Sequence, residues 1–133
     1  MNLSRYIGIP YVDNGRSEAG CDCYGLVKLV FENEVGIELA SYSNGYSGRE
    51  DHDAISDLVH LETKTWIEVD EPRMFDVVLL RSAYESGEGY HVGVAVCPDR
   101  MLHTTLNKSA CIEKFTSHLW RNKVVGFFRH VDL

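Results

Sequence analysis

The chain has 133 residues, 44% hydrophobic and 25% charged, with three prolines and no low-complexity run. That is the composition of one globular domain, long enough to bury about two thirds of the surface its unfolded chain exposes. Thirteen basic against 20 acidic residues give a net charge of −7 with no Lys/Arg cluster, which excludes a nucleic-acid partner and unaided adsorption to an anionic surface.

No apolar run approaches the roughly 18 residues of a membrane span, so no membrane partner is expected. The first ten residues, Met1 to Pro10, lack the apolar core of a secretory signal, so the expectation is a chain made and released in the cytoplasm. Residues 2–7 read as a short helical or irregular lead-in that stops at Pro10. Ile9-Pro10-Tyr11 is extended, because the residue before a proline is pushed toward β or polyproline geometry. Asp13-Asn14-Gly15 signals a turn, and residues 15–21 a loop that delivers the chain to Asp22.

Asp22 is a good N-cap. Cys23, Val27 and Val30 recur at i, i+4 and i+7, with Leu26 and Phe31 widening the stripe. A helix therefore starts at Cys23, buries the face that carries the sulfur, and ends near Asn33–Gly36, where glycine suits the C′ position. Its first turn offers unpaired N–H groups and the positive end of the macrodipole, both of which favour thiolate over thiol. Gly25 clears space two residues from the sulfur, for a substrate on a functional reading or for a neighbouring strand on a structural one. Taken alone, the stretch fits an ordinary buried cysteine at least as well, since free cysteine is among the most buried residue types.

Residues 41–50 form a polar loop in this reading, and Asp53 to His60 a second helix with Ala54, Ile55, Leu58 and Val59 inward. Asp51-His52-Asp53 is assigned to capping and solvation, not to a metal. From Thr65 the period becomes two. Trp66–Val69 reads as a short edge strand, 71–74 as a turn, Phe75–Arg81 as a buried strand and 82–89 as a loop. In Tyr90–Cys97, alternation sets His91, Gly93, Ala95 and Cys97 on one face and Val92, Val94 and Val96 on the other. Pro98-Asp99-Arg100 turns the chain into 101–105, and 110–115 and 124–129 supply further strands. The layout is α+β, a helical front with an antiparallel meander behind. Four cysteines, Cys21, Cys23, Cys97 and Cys111, offer disulfides or metal ligands on count alone. The missing signal weakens the disulfide reading, and Cys-x-Cys is not the usual zinc spacing, so no disulfide, metal or cofactor is expected.

His91 and His103 are twelve residues apart with their midpoint at Cys97, so a hairpin centred there sets them directly opposite, Cβ atoms about 4.5–5.5 Å apart. This requires an odd-numbered loop or a bulge; a two-residue Asp99-Arg100 loop would send them to opposite faces. If the Gly93/Ala95 face receives the Cys23 helix, the helix start lies over His91. Thiol, imidazole and a group that orients the imidazole are then assembled, the minimum for nucleophilic acyl transfer. Either histidine alone reads as a satisfied sheet histidine; the pair together with a helix-start cysteine points to chemistry.

These blocks resemble the NlpC-type cell-wall cysteine peptidases, a compact papain-like fold whose nucleophile lies in Asp-Cys-x-Gly at a helix start. The resemblance rests on Ile9-Pro10-Tyr11, Asp22-Cys23-Tyr24-Gly25-Leu26-Val27, Asp76-Val77-Val78-Leu79, His91-Val92-Gly93-Val94, and His103. It implies one papain-like domain over 1–133, with the cysteine helix packed on an antiparallel sheet of about five strands. It implies Cys23 as nucleophile, His91 as general base and acid and His103 as orienting residue. Tyr11, Asp22 and Tyr24 are then expected to line the substrate. The implied reaction is hydrolysis of a peptidoglycan stem peptide, such as the γ-D-glutamyl to diaminopimelate bond. Tyr24 stands where serine is common, Phe75 where glycine is frequent, and the aromatic-Gly-Gly of the family appears only as Asp13-Asn14-Gly15. Trp66–Val69 and Val125–Arg129 look most like the phage and prophage tail members, which implies tail-tip proteins as partners. The rival readings are an N-acetylmuramoyl amidase or acyltransferase using the same trio, and a non-enzymatic tail assembly component with a vestigial pocket.

Overall fold

The computed structural model describes residues 3–39, 65–81, 90–106 and 108–133. The loops expected over 41–50 and 82–89, the helix expected from Asp53 to His60 and the Asp51-His52-Asp53 group lie outside the described residues.

The lead-in is a single 3-10 turn, Ser4–Tyr6, which buries Tyr6. The extended stretch after it docks on a distant strand: Gly8 N–H donates to the Ala110 carbonyl (2.9 Å) and Ala110 N–H to that of Ile9 (2.8 Å). Pro10, with no N–H of its own, accepts from Cys21 N–H (3.1 Å), and Val12 N–H donates to the Cys21 carbonyl (3.1 Å). Tyr11 therefore runs parallel beside Cys21. The expected turn carries Asn14 at φ 59, a conformation asparagine tolerates better than most residues. It leads into a two-stranded hairpin of β1 (Arg16–Ser17) and β2 (Gly20–Cys21), so the expected loop is a short ordered strap.

Helix α1 spans Cys23–Val30, with the Asp22 carboxylate accepting from Gly25 N–H at its start. A turn of wider π-type helix, Phe31–Val35, follows and stops at Gly36 (φ 79), where Gly36 and Ile37 N–H groups both donate to the Phe31 carbonyl. The helix is buried on nearly every side, Lys28 excepted. One reason is the hairpin: a Cβ on Gly25 would stand 2.1 Å from the Gly15 carbonyl oxygen. The space beside the sulfur-bearing turn is filled by the protein's own strap. This bears out the strand-packing reading of Gly25 and overturns the substrate-space reading.

Among the described residues the main sheet has six strands, matching the six segments read as strands in the sequence, where the resemblance implied about five: β3 (Trp66–Val69), β4 (Val77–Arg81), β5 (Tyr90–Cys97), β6 (Arg100–Thr105), β7 (Lys108–Lys114) and β8 (Val124–His130). Their order is β3-β8-β4-β5-β6-β7, antiparallel throughout. The meander holds from β4 to β7, but β8 returns to lie between β3 and β4. A clamp marks that slot. Arg129 on β8 donates Nε and Nη2 to the two carboxylate oxygens of fully buried Asp76 (2.9 and 2.7 Å) at the head of β4. Just before it Phe75 adopts φ 74, a left-handed backbone that glycine takes up without strain.

Both faces of the sheet are covered, which is why Val77–Leu80 reads as an unbroken apolar run. On one face Val77, Leu79, Val92, Val94 and Leu102 form a core with Leu26, Val27 and Val30 of α1. On the other, Val78, Leu80, Ala95 and Met101 meet Phe115 and Trp120. The helix thus takes the valine face of β5, not the Gly93/Ala95 face expected to receive it. Valine side chains offer a helix more apolar area than glycine and alanine do, while the small-residue face accommodates bulky Met101 and Trp120.

Candidate active site

The site is built from the start of α1 and the middle strands of the sheet. Asp22, fully buried, holds the helix start in place: Oδ1 accepts from Gly25 N–H (2.7 Å) and Arg16 Nη1 (2.8 Å), and Oδ2 from Asn14 N–H (3.2 Å). Burial pushes its pKa up, against the pull of Arg16 and the two amides. Cys23 follows as the first helical residue, 1% exposed, in the same core as Val92, and α1 packs on β5 and β6. Its neighbour Cys21 is a poor rival as a nucleophile, because burial first and the Asp22 charge second push its thiol up to about 12.

His91 on β5 and His103 on β6 are both 1% exposed and joined ring to ring, His91 Nε2 to His103 Nδ1, at 2.9 Å. They are not directly opposite. Cys97 pairs with Arg100, a bulge follows, and beyond it Ala95 pairs with Met101 and Val94 with Leu102. One step further in that register, His103 lies beside Gly93, and His91 is diagonal to it. The bulge restores the parity that the tight turn alone would have broken, so the imidazoles share a face. Gly93 makes the diagonal contact feasible, since a Cβ there would stand 3.2 Å from His103 Cβ and 3.0 Å from Met101 Sδ.

Two further residues complete the arrangement, and the sequence reading named neither. Glu113 on β7 brings Oε1 to 2.7 Å from His103 Nε2, and Lys108 Nζ stands 3.2 Å from the same oxygen. Trp120 stacks on the His91 ring (5.5 Å between centroids, 21° between planes) and meets His103 edge to face (5.3 Å, 90°). Burial drives the His91 pKa well below 6.5, helped by His103. His103 is lowered too, again by burial, with Glu113 pulling the other way. Burial raises Glu113, but the His103 hydrogen bond and Lys108 outweigh it and hold the carboxyl below its ordinary range. Glu113 carried a faint signal, an even separation from His103 on an alternating strand. Trp120 carried none, since 115–123 has no periodic pattern.

The structure therefore brings His91 and His103 together on the Gly93/Ala95 face of the sheet, under Trp120. Helix α1, with Cys23 at its start, packs on the same two strands from the valine face, so the expectation that the helix reaches His91 by covering its face is not met. The Tyr11 backbone lies beside Cys21, two residues before the thiol. Asp22 and Tyr24, expected to line a substrate, are placed otherwise. Asp22 is sealed beneath the helix start with its oxygens engaged by three donors. Tyr24 is 5% exposed, with the Arg16 guanidinium over its ring. Both serve the strap that holds the helix start. Among the described residues, His103, Cys111 and Glu113 bring ligand atoms within 4.8 Å of one another, the one such group able to hold a metal ion.

An α+β domain whose helix begins on a cysteine, packed on an antiparallel sheet that carries a hydrogen-bonded histidine pair, is papain-like, the class of the thiol hydrolases. Solved structures share the fold. They include a lipoprotein-like NLP/P60-family protein from Staphylococcus aureus (TM-score 0.66, 23% identity, 96% of this chain and 38% of that one). The NlpC/p60 domain of peptidoglycan hydrolase SagA also matches (TM-score 0.62, 21% identity, 94% and 90%). The chain belongs to the NlpC/P60 family, which it matches over residues 8–129. A curated relative, the gamma-DL-glutamyl hydrolase of Bacillus subtilis, is 27% identical over 134 aligned residues, covering all of this chain and 29% of that protein. The chain thus spans about three tenths of that relative's length.

Proposed function

We propose that this domain is a cysteine peptidase that hydrolyses the stem peptides of peptidoglycan, with Cys23 as nucleophile, His91 as general base and acid, and His103 as the residue that orients His91. The observation that carries the reading is the 2.9 Å bond between two fully buried imidazoles on the strands that α1 packs against. A buried imidazole pair, bonded ring to ring and with both pKa values lowered by burial, is the kind of perturbed cluster that concentrates at functional sites.

In this mechanism His91 takes the Cys23 proton and the sulfur attacks the scissile carbonyl. The oxyanion forms at the helix N-terminus, where the Cys23 N–H meets it. The His91 imidazolium then protonates the leaving amine, and water activated by the same ring resolves the thioester. A γ-D-glutamyl bond to diaminopimelate is the proposed target, a reading supported by the γ-glutamyl specificity in the name of the Bacillus subtilis relative and by SagA's description as a peptidoglycan hydrolase. Carriage on a phage or prophage tail tip is proposed with it. The net charge of −7 supports that, since an acidic domain gains nothing by approaching an anionic wall unaided.

The test is digestion of purified peptidoglycan with the fragments weighed by mass spectrometry. New termini at D-glutamate are expected from the wild type and none from Cys23→Ala or His91→Ala, with both variants folded by circular dichroism. Undiminished release by either variant refutes the assignment, and termini at N-acetylmuramate would make the enzyme an amidase.

A further inference from the structure

We propose that Glu113 is a positioning residue that selects the tautomer of the histidine pair, leaving Nδ1 of His91 as its basic nitrogen; this rests on the peptidase reading above. The argument is one of hydrogen counting. An ionised carboxylate only accepts hydrogen bonds, so the 2.7 Å contact between Glu113 Oε1 and His103 Nε2 requires the proton on Nε2. In a neutral imidazole the other nitrogen, Nδ1, is then an acceptor. Its partner at 2.9 Å is His91 Nε2, which must donate. A neutral His91 with its proton on Nε2 keeps the lone pair on Nδ1. That nitrogen can take a thiol proton: the S–H bond breaks, an Nδ1–H bond forms, and the thiolate–imidazolium pair is neutral overall.

Without the carboxylate the chain of donors runs equally well in reverse. His103 then carries its proton on Nδ1 and donates to His91 Nε2, and His91 carries its own on Nδ1, where it blocks transfer from the thiol. Three features keep Glu113 in command. Lys108 Nζ, 3.2 Å away, favours the ionised carboxylate. Both rings are 1% exposed, so bulk water does not supply competing partners. Trp120 covers both imidazoles. The carboxylate also faces the positive charge that His91 acquires, one imidazole removed, and stabilises it through His103.

The experiment is nitrogen-15 NMR of histidine-labelled full chain, wild type against Glu113→Gln and Glu113→Ala, beside muropeptide kinetics and the iodoacetamide rate at Cys23. Expected are Nε2–H tautomers for both His91 and His103 in the wild type and a mixed or inverted population in the variants. The kcat and the alkylation rate should fall together by roughly 10- to 100-fold with KM little changed. A residue that merely braced β6 against β7 would shift the melting temperature and leave the tautomers alone. Wild-type protein with His91 protonated on Nδ1, or a folded Glu113→Ala variant with wild-type tautomers and alkylation rate, overturns the proposal. Wild-type protein that cleaves no muropeptide, while its tautomers and thiol reactivity follow Glu113 as described, overturns the peptidase reading and leaves the positioning role standing.

Discussion

Gly25→Ala sets two physical effects against each other, and the structure decides between them. Alanine is the better helix former by about 0.5–1 kcal/mol, so if the space above Gly25 were kept for a substrate, the substitution would stabilise the free protein and damage only activity. The hairpin makes that outcome unavailable. The new Cβ would stand 2.1 Å from the Gly15 carbonyl oxygen, 3.0 Å from Asp22 Oδ1 and 3.1 Å from Arg16 Nη1. Carbon-to-oxygen contacts of this kind rest near 3.3–3.6 Å, so the strap must retreat by about 1 Å. Overpacking of this size costs about 1–3 kcal/mol. The movement also strains the Asp22 cap and its Arg16 partner, adding about 1–2 kcal/mol. Less the propensity gain, the net loss is about 1–4.5 kcal/mol. For a chain of 133 residues, at about 3–4 °C per kcal/mol, the melting temperature should fall by about 3–18 °C. Thermal unfolding followed by circular dichroism measures it. A variant at or above the wild-type melting temperature would refute the reasoning and return the space to the substrate.

Acid should weaken the fold through its buried histidines. His91, His103 and His130 all have pKa values lowered below 6.5 by burial, so below that pH the unfolded chain takes up protons that the native state refuses. Stability is therefore full above pH 6.5 and falls beneath it by up to about 1.4 kcal/mol per unit for each histidine. Urea midpoints at pH 7.5 and 5.5 check the sign, and His91→Gln should flatten the slope. Asp76→Ala leaves Arg129 without its bidentate partner at the junction of β4 and β8; a loss of about 2–4 kcal/mol is expected in urea titration, and less than 1 kcal/mol would mean the clamp is decorative. Trp120→Phe keeps an apolar cover over the imidazoles but opens part of the stack to water. It should move the acid limb of the Cys23 alkylation profile to higher pH, and an unmoved limb would separate Trp120 from the site.

Most of the elements were legible because their causes are local. A capping aspartate before an apolar stripe starts α1 at Cys23, a left-handed glycine stops the helical run at Gly36, and alternation bounds β5 within Tyr90–Cys97. What escaped was decided at a distance. The slot of β8 depends on Arg129 reaching Asp76 across 53 residues, which no window of sequence displays. The face chosen by α1 depends on what else competes for the sheet, and Met101 with Trp120 had the better claim to the surface of small residues. Asp22 was legible as a cap and illegible as a buried carboxylate, because only the folded hairpin shows Arg16 and the Asn14 amide converging on it.

The histidine pair shows why parity is a safer inference than register. Opposition at the midpoint Cys97 was the wrong register, since the bulge moves His103 alongside Gly93, yet an even separation keeps both rings on one face in any register of the same parity. The same rule reaches β7. His103 pairs with Cys111, and Glu113, ten residues from His103, falls on that face two positions further on. Because neighbouring strands run antiparallel, His91 stands two residues before the partner of His103 and Glu113 two residues after it. The three side chains thus follow one straight diagonal across β5, β6 and β7. Directly opposed rings would crowd side by side; the diagonal sets nitrogen toward nitrogen and nitrogen toward oxygen, end to end. A glycine beside the central histidine and even intervals on either side are what such a line demands of a sequence, and each is present in this one.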